Sequence, residues 1–399
     1  MTVRAYAAWS LVGLSAWLAL EAADVAGFTT SDRSVLLVAA TVVPLFQALH
    51  LDAMYRFAGR TVRPVAWSHP VQGVGALGFA AGEIFGVTPL AAVGGVAFAA
   101  GAIVYAVAVM KAAPKGGLVT DDPLTKGDDA CFKHVVFAHR FLALGALVLA
   151  LVPSVGFADQ TWAVRLLVSA QHILVIGFGL LSAYGISHLW VPRFSGVPAI
   201  AAGAIKGELH TTLLGLTGLI IGFLTGIRGL MAGLGFFVFV GFFTFMGVLG
   251  ANMMRNKSKT QRVTPEFVYI PWTFTAIFWL ISAVLMGLFL NTVPDVLADR
   301  YGDLRHLHIA AGLIGGFVQL AMGLLTRIVP TETGSAPPRF QGSMRLAFFA
   351  FNGGLTLWLY GAFTGGRLEL VGLALLAASM MAFAGPLQKL MAKPSVASA

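Results

Sequence analysis

Leu230-Met-Ala-Gly-Leu-Gly-Phe-Phe-Val-Phe-Val-Gly-Phe-Phe-Thr-Phe-Met-Gly-Val-Leu-Gly-Ala-Asn-Met-Met254 runs for 25 residues without a charged side chain. A helix of that length covers roughly 37 Å at about 1.5 Å per residue, more than the ~30 Å hydrocarbon core of a bilayer. Only a helix closes every peptide hydrogen bond within such a segment, so the stretch reads as a membrane span. Similar apolar runs recur along the whole chain. The expected spans are 6–28, 35–58, 66–86, 88–110, 133–153, 163–190, 197–226, 230–254, 267–290, 305–329, 344–363 and 368–391. The fold class expected is therefore an all-α, polytopic transmembrane helix bundle of about twelve spans, forming a single integral-membrane domain over residues 1–399.

Composition supports this reading. The chain is 58% hydrophobic and 11% charged, with a mean hydropathy of +0.84. A soluble domain carries about 25% charged residues. The net charge of +9 is spread between apolar runs rather than gathered in a block, which speaks for topology and against nucleic acid. A lone cysteine, Cys131, excludes an internal disulfide and any site built on paired cysteines. The run Ala7 to Leu20 resembles a signal peptide, but Glu21 and Asp24 follow it without a small-residue cleavage site, so it is taken as span 1.

Loops after even-numbered spans hold Arg56, Arg60, Arg63, Lys111, Lys115, Lys126, Arg193, Arg255, Lys257, Lys259, Arg262, Arg339 and Arg345. Loops after odd-numbered spans are poorer in cations, and several of theirs lie beside Asp32, Asp299 or Asp303. The positive-inside rule then puts both termini in the cytoplasm. Multi-pass insertion in a bacterial inner membrane, with the lipid bilayer as principal partner, is the expected localisation. No Gly-rich nucleotide loop, Ser-His-Asp order or HExxH is present, which excludes the common ATPase and hydrolase classes.

Chemistry, if any, falls to nine histidines that all lie in or beside spans. His50, His69, His134 and His188 fall near expected inner ends, where an interfacial imidazole needs no special role, and His139 lies only a turn or so deeper, beside Arg140. His172 and His210 fall 10 to 14 residues into spans 6 and 7 and are candidate metal ligands. His306 and His308 open span 10. Positions i and i+2 are about 200° apart on a helix, so these two rings serve different sites rather than one metal. Gly312, Gly315 and Gly316 follow on the His308 face, either as room for a flat macrocycle or as ordinary small-residue helix packing. Glu83 and Glu208 are intramembrane carboxylates. Each is a candidate for proton relay or for a buried hydrogen bond.

A histidine midway on span 6, another on span 7 and His306-Leu-His308 opening span 10 resemble the catalytic subunit of haem–copper oxidases. In that superfamily the span 10 pair ligates two haems and histidines of spans 6 and 7 hold copper. The resemblance thus implies haem, of b-type, at His306 and His308 with the glycines beside it, and leaves copper open at His172 and His210. The segment His308-Ile-Ala-Ala-Gly-Leu-Ile-Gly-Gly-Phe, ending Thr326-Arg327, is similar to a run of the smaller NnrS family, which binds haem and copper and is associated with responses to nitric oxide. The chain departs from both patterns. Thr211 follows His210 where oxidases carry a second histidine, and the amino-terminal motifs of NnrS are absent. The resemblance implies nitric oxide tolerance or respiration, with nitric oxide or another diatomic as ligand and, if the chain is an enzyme, oxidoreductase chemistry. A metal-free transporter or accessory membrane protein is the alternative, and a divergent oxygen or nitric oxide reductase subunit is a further one.

Overall fold

The computed structural model describes residues 3–25, 34, 37–59, 62, 67–113, 128–195, 197–256, 269–292, 301–332, 338–339, 341–364 and 367–391. Those residues form twelve helical segments and no strand. They are α1 (Val3–Val25), α2 (Leu37–Val42 then Val43–Ala58), α3 (Ser68–Ile84), α4 (Thr88–Ala112), α5 (Asp128–Ala158) and α6 (Gln160–His172, Ile173–Leu180, Leu181–Ser195). They continue with α7 (Ala202–Thr225), α8 (Arg228–Arg255), α9 (Tyr269–Thr292), α10 (Tyr301–Ala310, Ala311–Val318, Gln319–Glu332), α11 (Gly342–Thr364) and α12 (Leu368–Met391). Ten are long and apolar enough to cross a membrane, the exceptions being α1 and α3.

Two compact units divide the chain. The first comprises Met1–Ser10 and Val38–Val263, the second Leu11–Leu37 and Thr264–Ala399. In the first, α3 and α4 form a hairpin, α4 packs on α5, α5 lies against α6 and α7, and α7 pairs with α8. Small residues set these distances, because lipid tails supply no hydrophobic drive between helices and close backbone packing must replace it. A Cβ on Gly75, Gly82 or Gly94 would run into the backbone of the facing helix of the hairpin, at Phe98, Ala91 and Phe79 respectively. Gly86 turns the hairpin at φ +67°, where only glycine sits without strain. Asp159 begins α6 by accepting from the backbone N–H groups of Thr161 at 2.8 Å and Trp162 at 3.1 Å.

In the second unit α9 packs along α10, and α11 pairs with α12. Trp279 Nε1 donates to Asn352 Oδ1 at 2.9 Å between α9 and α11, and Ser379 Oγ donates to the Ala347 carbonyl at 2.7 Å between α12 and α11. Trp17 of α1 meets Trp358 of α11 edge-on at 5.4 Å.

Three helices change pitch. Leu37–Val42 of α2, Ile173–Leu180 of α6 and Ala311–Val318 of α10 are π-helical, with i→i+5 closure in place of i→i+4. These are also the three most buried spans: the most apolar window is 100% buried in α2, 89% in α10 and 67% in α6, against 22% in α8 and α9. Widened turns are rare in helices and concentrate at functional sites. In α6 the wide segment starts directly after His172, and in α10 it starts three residues after His308.

Candidate functional site

Of the residues singled out in the sequence, His308 is held across helices by a hydrogen bond from one ring nitrogen. Its Nδ1–H donates to the Ala283 carbonyl on α9 at 2.8 Å, which leaves Nε2 with the lone pair. A ligating histidine is usually held in this way, by a second hydrogen bond that fixes tautomer and ring direction. Gly287 makes the approach possible, since a Cβ there would stand 2.7 Å from His308 Cε1. His306 turns elsewhere and meets Trp358 edge-on at 5.0 Å, consistent with the opposed directions expected for i and i+2.

The glycine face is packed by α9. A Cβ on Gly312 would meet Ala283 Cβ at 3.3 Å, while Gly315 lies under Trp279 and Gly316 under Leu280. Gly312, Gly315 and Gly316 thus serve small-residue packing of α10 against α9.

His172 and His210 are not brought together. His172 is partly buried, its Nδ1–H donates to the Val168 carbonyl at 2.8 Å, and its ring lies 4.5 Å from that of Phe223. Phe223 sits 13 residues beyond His210 on α7, a rise of about 20 Å. His210 is exposed, only eight residues after the helix begins at Ala202. The cause is angular. Glu208, two positions earlier, faces inward and is 0% exposed, which turns His210 outward. Glu83, at the other end of the hairpin formed by α3 and α4, is exposed.

The histidines expected at interfaces are instead among the most buried side chains of the chain: His50, His134 and His139 are 0% exposed, His188 1% and His69 2%. Four of these make two clusters in the first unit. In one, Glu208 of α7 lies between two imidazoles, with His188 Nε2 donating to Oε2 at 2.8 Å and His134 Nε2 standing 3.3 Å from Oε1. The rings of His134 and His188 are 6.2 Å apart and meet different oxygens of one carboxylate. Gly185 lets α6 close on α5 here, a Cβ at that position falling 2.9 Å from His134 Cβ. Phe245 of α8 covers the cluster, 5.1 Å from His188 and stacked on Tyr184 at 4.4 Å. Nearby on the same two helices, Arg193 pairs with the buried Asp128.

In the other cluster the rings of His50 (α2) and His139 (α5) lie 4.5 Å apart. Phe178, from the π-helical segment of α6, packs 5.7 Å from each. Tyr105 of α4 lies 5.5 Å from His139 and donates to the Gln47 carbonyl at 2.9 Å. Gln47 and Gln72 exchange side-chain amide bonds at 3.0 and 3.2 Å. His139 Nδ1–H donates to the Val135 carbonyl at 2.7 Å. Its Nε2 and both nitrogens of His50 are buried without a hydrogen-bond partner among the described residues. No group of three or more His, Cys, Asp or Glu side chains among the described residues is arranged to hold a metal ion.

No family model matches the chain, and no curated protein does. Among solved structures it resembles a haem–copper terminal oxidase dimer determined by cryo-EM, with a TM-score of 0.66 at 13% identity over 99% of this chain and 83% of that one. At that identity the likeness establishes the fold. The chain is an integral multi-pass helical protein with the fold of a haem–copper terminal oxidase chain.

Proposed function

We propose that the chain is a haem-binding membrane protein of bacterial inner membranes, with both termini cytoplasmic, and that it binds a diatomic gas such as nitric oxide. The observation that carries this is His308: within an oxidase-like fold, its Nδ1–H is fixed on the Ala283 carbonyl and its Nε2 is left for iron. His306, directed to Trp358, is the companion ligand candidate on the other side of α10. A b-type haem, if held there by His308, would supply an iron able to bind a diatomic gas. The chain's own contribution is to orient His308 through Ala283 and Gly287 and to pack Trp279 and Leu280 beneath the helix that carries it. Copper at His172 and His210 finds no support, because those side chains point to different surroundings about 20 Å apart along α7.

Full-length protein purified in detergent from haem-replete cells is expected to show a Soret band that His308→Ala abolishes or shifts. His210→Ala is expected to leave the band unchanged. A deletion strain should grow normally in oxygen and poorly under nitric oxide, and His308→Ala should fail to rescue it. A second reading, a metal-free transporter or accessory protein, draws on the Glu208 cluster, since buried carboxylates and imidazoles also line substrate paths. Colourless, well-folded protein from haem-replete cells would favour that reading and overturn the first.

A further inference from the structure

On the touching rings of His50 and His139, three nitrogens are buried without a hydrogen-bond partner among the described residues: Nδ1 and Nε2 of His50 and Nε2 of His139. Leaving a polar atom buried and unpaired costs about 1–3 kcal/mol each, so an arrangement of three on two touching rings needs a reason. Packing alone is a poor one, since a phenylalanine would fill the same space without the cost. We propose that His50 and His139 form a two-imidazole site for a monovalent copper ion.

Four observations converge on this. The rings come from different helices and their centres are 4.5 Å apart. Two imidazoles bonded to one ion at about 2.0 Å hold their centres at most about 6.3 Å apart. The observed separation falls within that limit, so modest rotation of the unanchored His50 ring brings a nitrogen of each to a shared ion. His139 is anchored by its Nδ1–H on the Val135 carbonyl, which leaves Nε2 as its only lone pair. Phe178 is delivered against both rings by a π-helical segment, the kind of local distortion that collects at functional sites. The remaining polar neighbours are already engaged, Tyr105 with the Gln47 carbonyl and Gln47 with Gln72.

The charge of the ion follows from the surroundings. The side chains seen against the two rings, Phe178 and Tyr105, are uncharged. The cost of burying an ion rises with the square of its charge, and among the described residues no carboxylate or thiolate is seen against the rings to offset it. A monocation that favours few, neutral nitrogen ligands suits the site, and among biological transition metals Cu(I) is that ion.

The test uses the full chain in detergent, made copper-free with its haem retained and reduced under argon, given one equivalent of Cu(I) and titrated with bathocuproine disulfonate, whose copper complex is coloured. Wild type and His210→Ala are expected to keep one copper per chain at chelator concentrations that strip His50→Phe and His139→Phe, with at least a tenfold difference in retention. Haem absorbance should be the same in all four, which separates this site from any failure at His308. Circular dichroism checks the variants' folding; if phenylalanine is not tolerated, His50→Gln and His139→Gln replace it. Wild-type protein that surrenders all its copper to the first equivalent of chelator overturns the proposal. So does retention in the His50 and His139 variants equal to wild type, or loss in His210→Ala alone.

Discussion

His134 and His139 lie five residues apart on α5 and begin alike. Each is wholly buried, and each turns Nδ1 to the carbonyl four residues back, Ala130 at 3.3 Å and Val135 at 2.7 Å. They differ in what stands before Nε2. For His134 it is a carboxylate oxygen of Glu208, supplied by the fold itself. For His139 it is the neighbourhood of a second imidazole, with no hydrogen bond made. Burial of a polar ring is therefore not one phenomenon in this protein. One cluster is closed in the sense that it carries its own carboxylate, which faces both imidazoles, although only His188 Nε2 hydrogen-bonds to it and His134 Nε2, Glu208 Oε1 and His188 Nδ1 make no hydrogen bond among the described residues. The other is open: among the described residues no carboxylate or hydrogen-bond partner stands before His139 Nε2 or either nitrogen of His50.

Breaking the closed cluster should have the largest effect. Glu208→Leu leaves two buried imidazoles facing a hydrocarbon side chain and is expected to cost about 3–5 kcal/mol, the range for removing one member of a buried ion-pair network. Thermal unfolding of the detergent-solubilised protein would read this as a large drop in Tm or as loss of folded protein. An unchanged Tm would show that Glu208 is not holding α5, α6 and α7 together. Beside the open cluster, Gln72→Leu strands the amide of Gln47 and should cost about 1–3 kcal/mol by the same measurement. Smallest is His210→Ala, which removes an exposed ring and should stay within about 0.5 kcal/mol of wild type. A large loss there would mean that the outward face of α7 is covered by a partner.

Why the sequence reveals the spans but misplaces the chemistry is visible in the same residues. Apolar run length is set by bilayer thickness, and the described helices coincide with the expected spans to within several residues: the span expected at 133–153 is Asp128–Ala158, and that at 163–190 is Gln160–Ser195. Depth along a helix, however, says nothing about what surrounds it. His50, His134 and His188 fall near span ends yet are covered on every side, whereas His210, read as deep, faces out. The missing signal was angular and within reach. Glu208, Thr212, Gly215, Leu219 and Gly222 fall at helical spacing, and Glu208, Thr212, Gly215 and Gly222 share a polar and small-residue face that points to the core. His210 does not lie on it. The pairing of His50 with His139 was not legible, because it depends on which of twelve similar helices become neighbours.

The π-helical segments have one more consequence. Closing i→i+5 rather than i→i+4 takes up one residue more per hydrogen-bonded ring, so Ile173–Leu180 holds surplus chain. Deleting a residue from an ordinary span rotates everything beyond it by about 100° relative to what came before. Deleting one within Ile173–Leu180 can instead be absorbed by a return to α pitch, with both flanks keeping their faces. What would be given up is local: the sideways step of the backbone that lays Phe178 across His50 and His139. That segment of α6 is thus a place where length can change while topology stays put, and where the surroundings of a buried histidine pair can be rewritten by a single residue of slack.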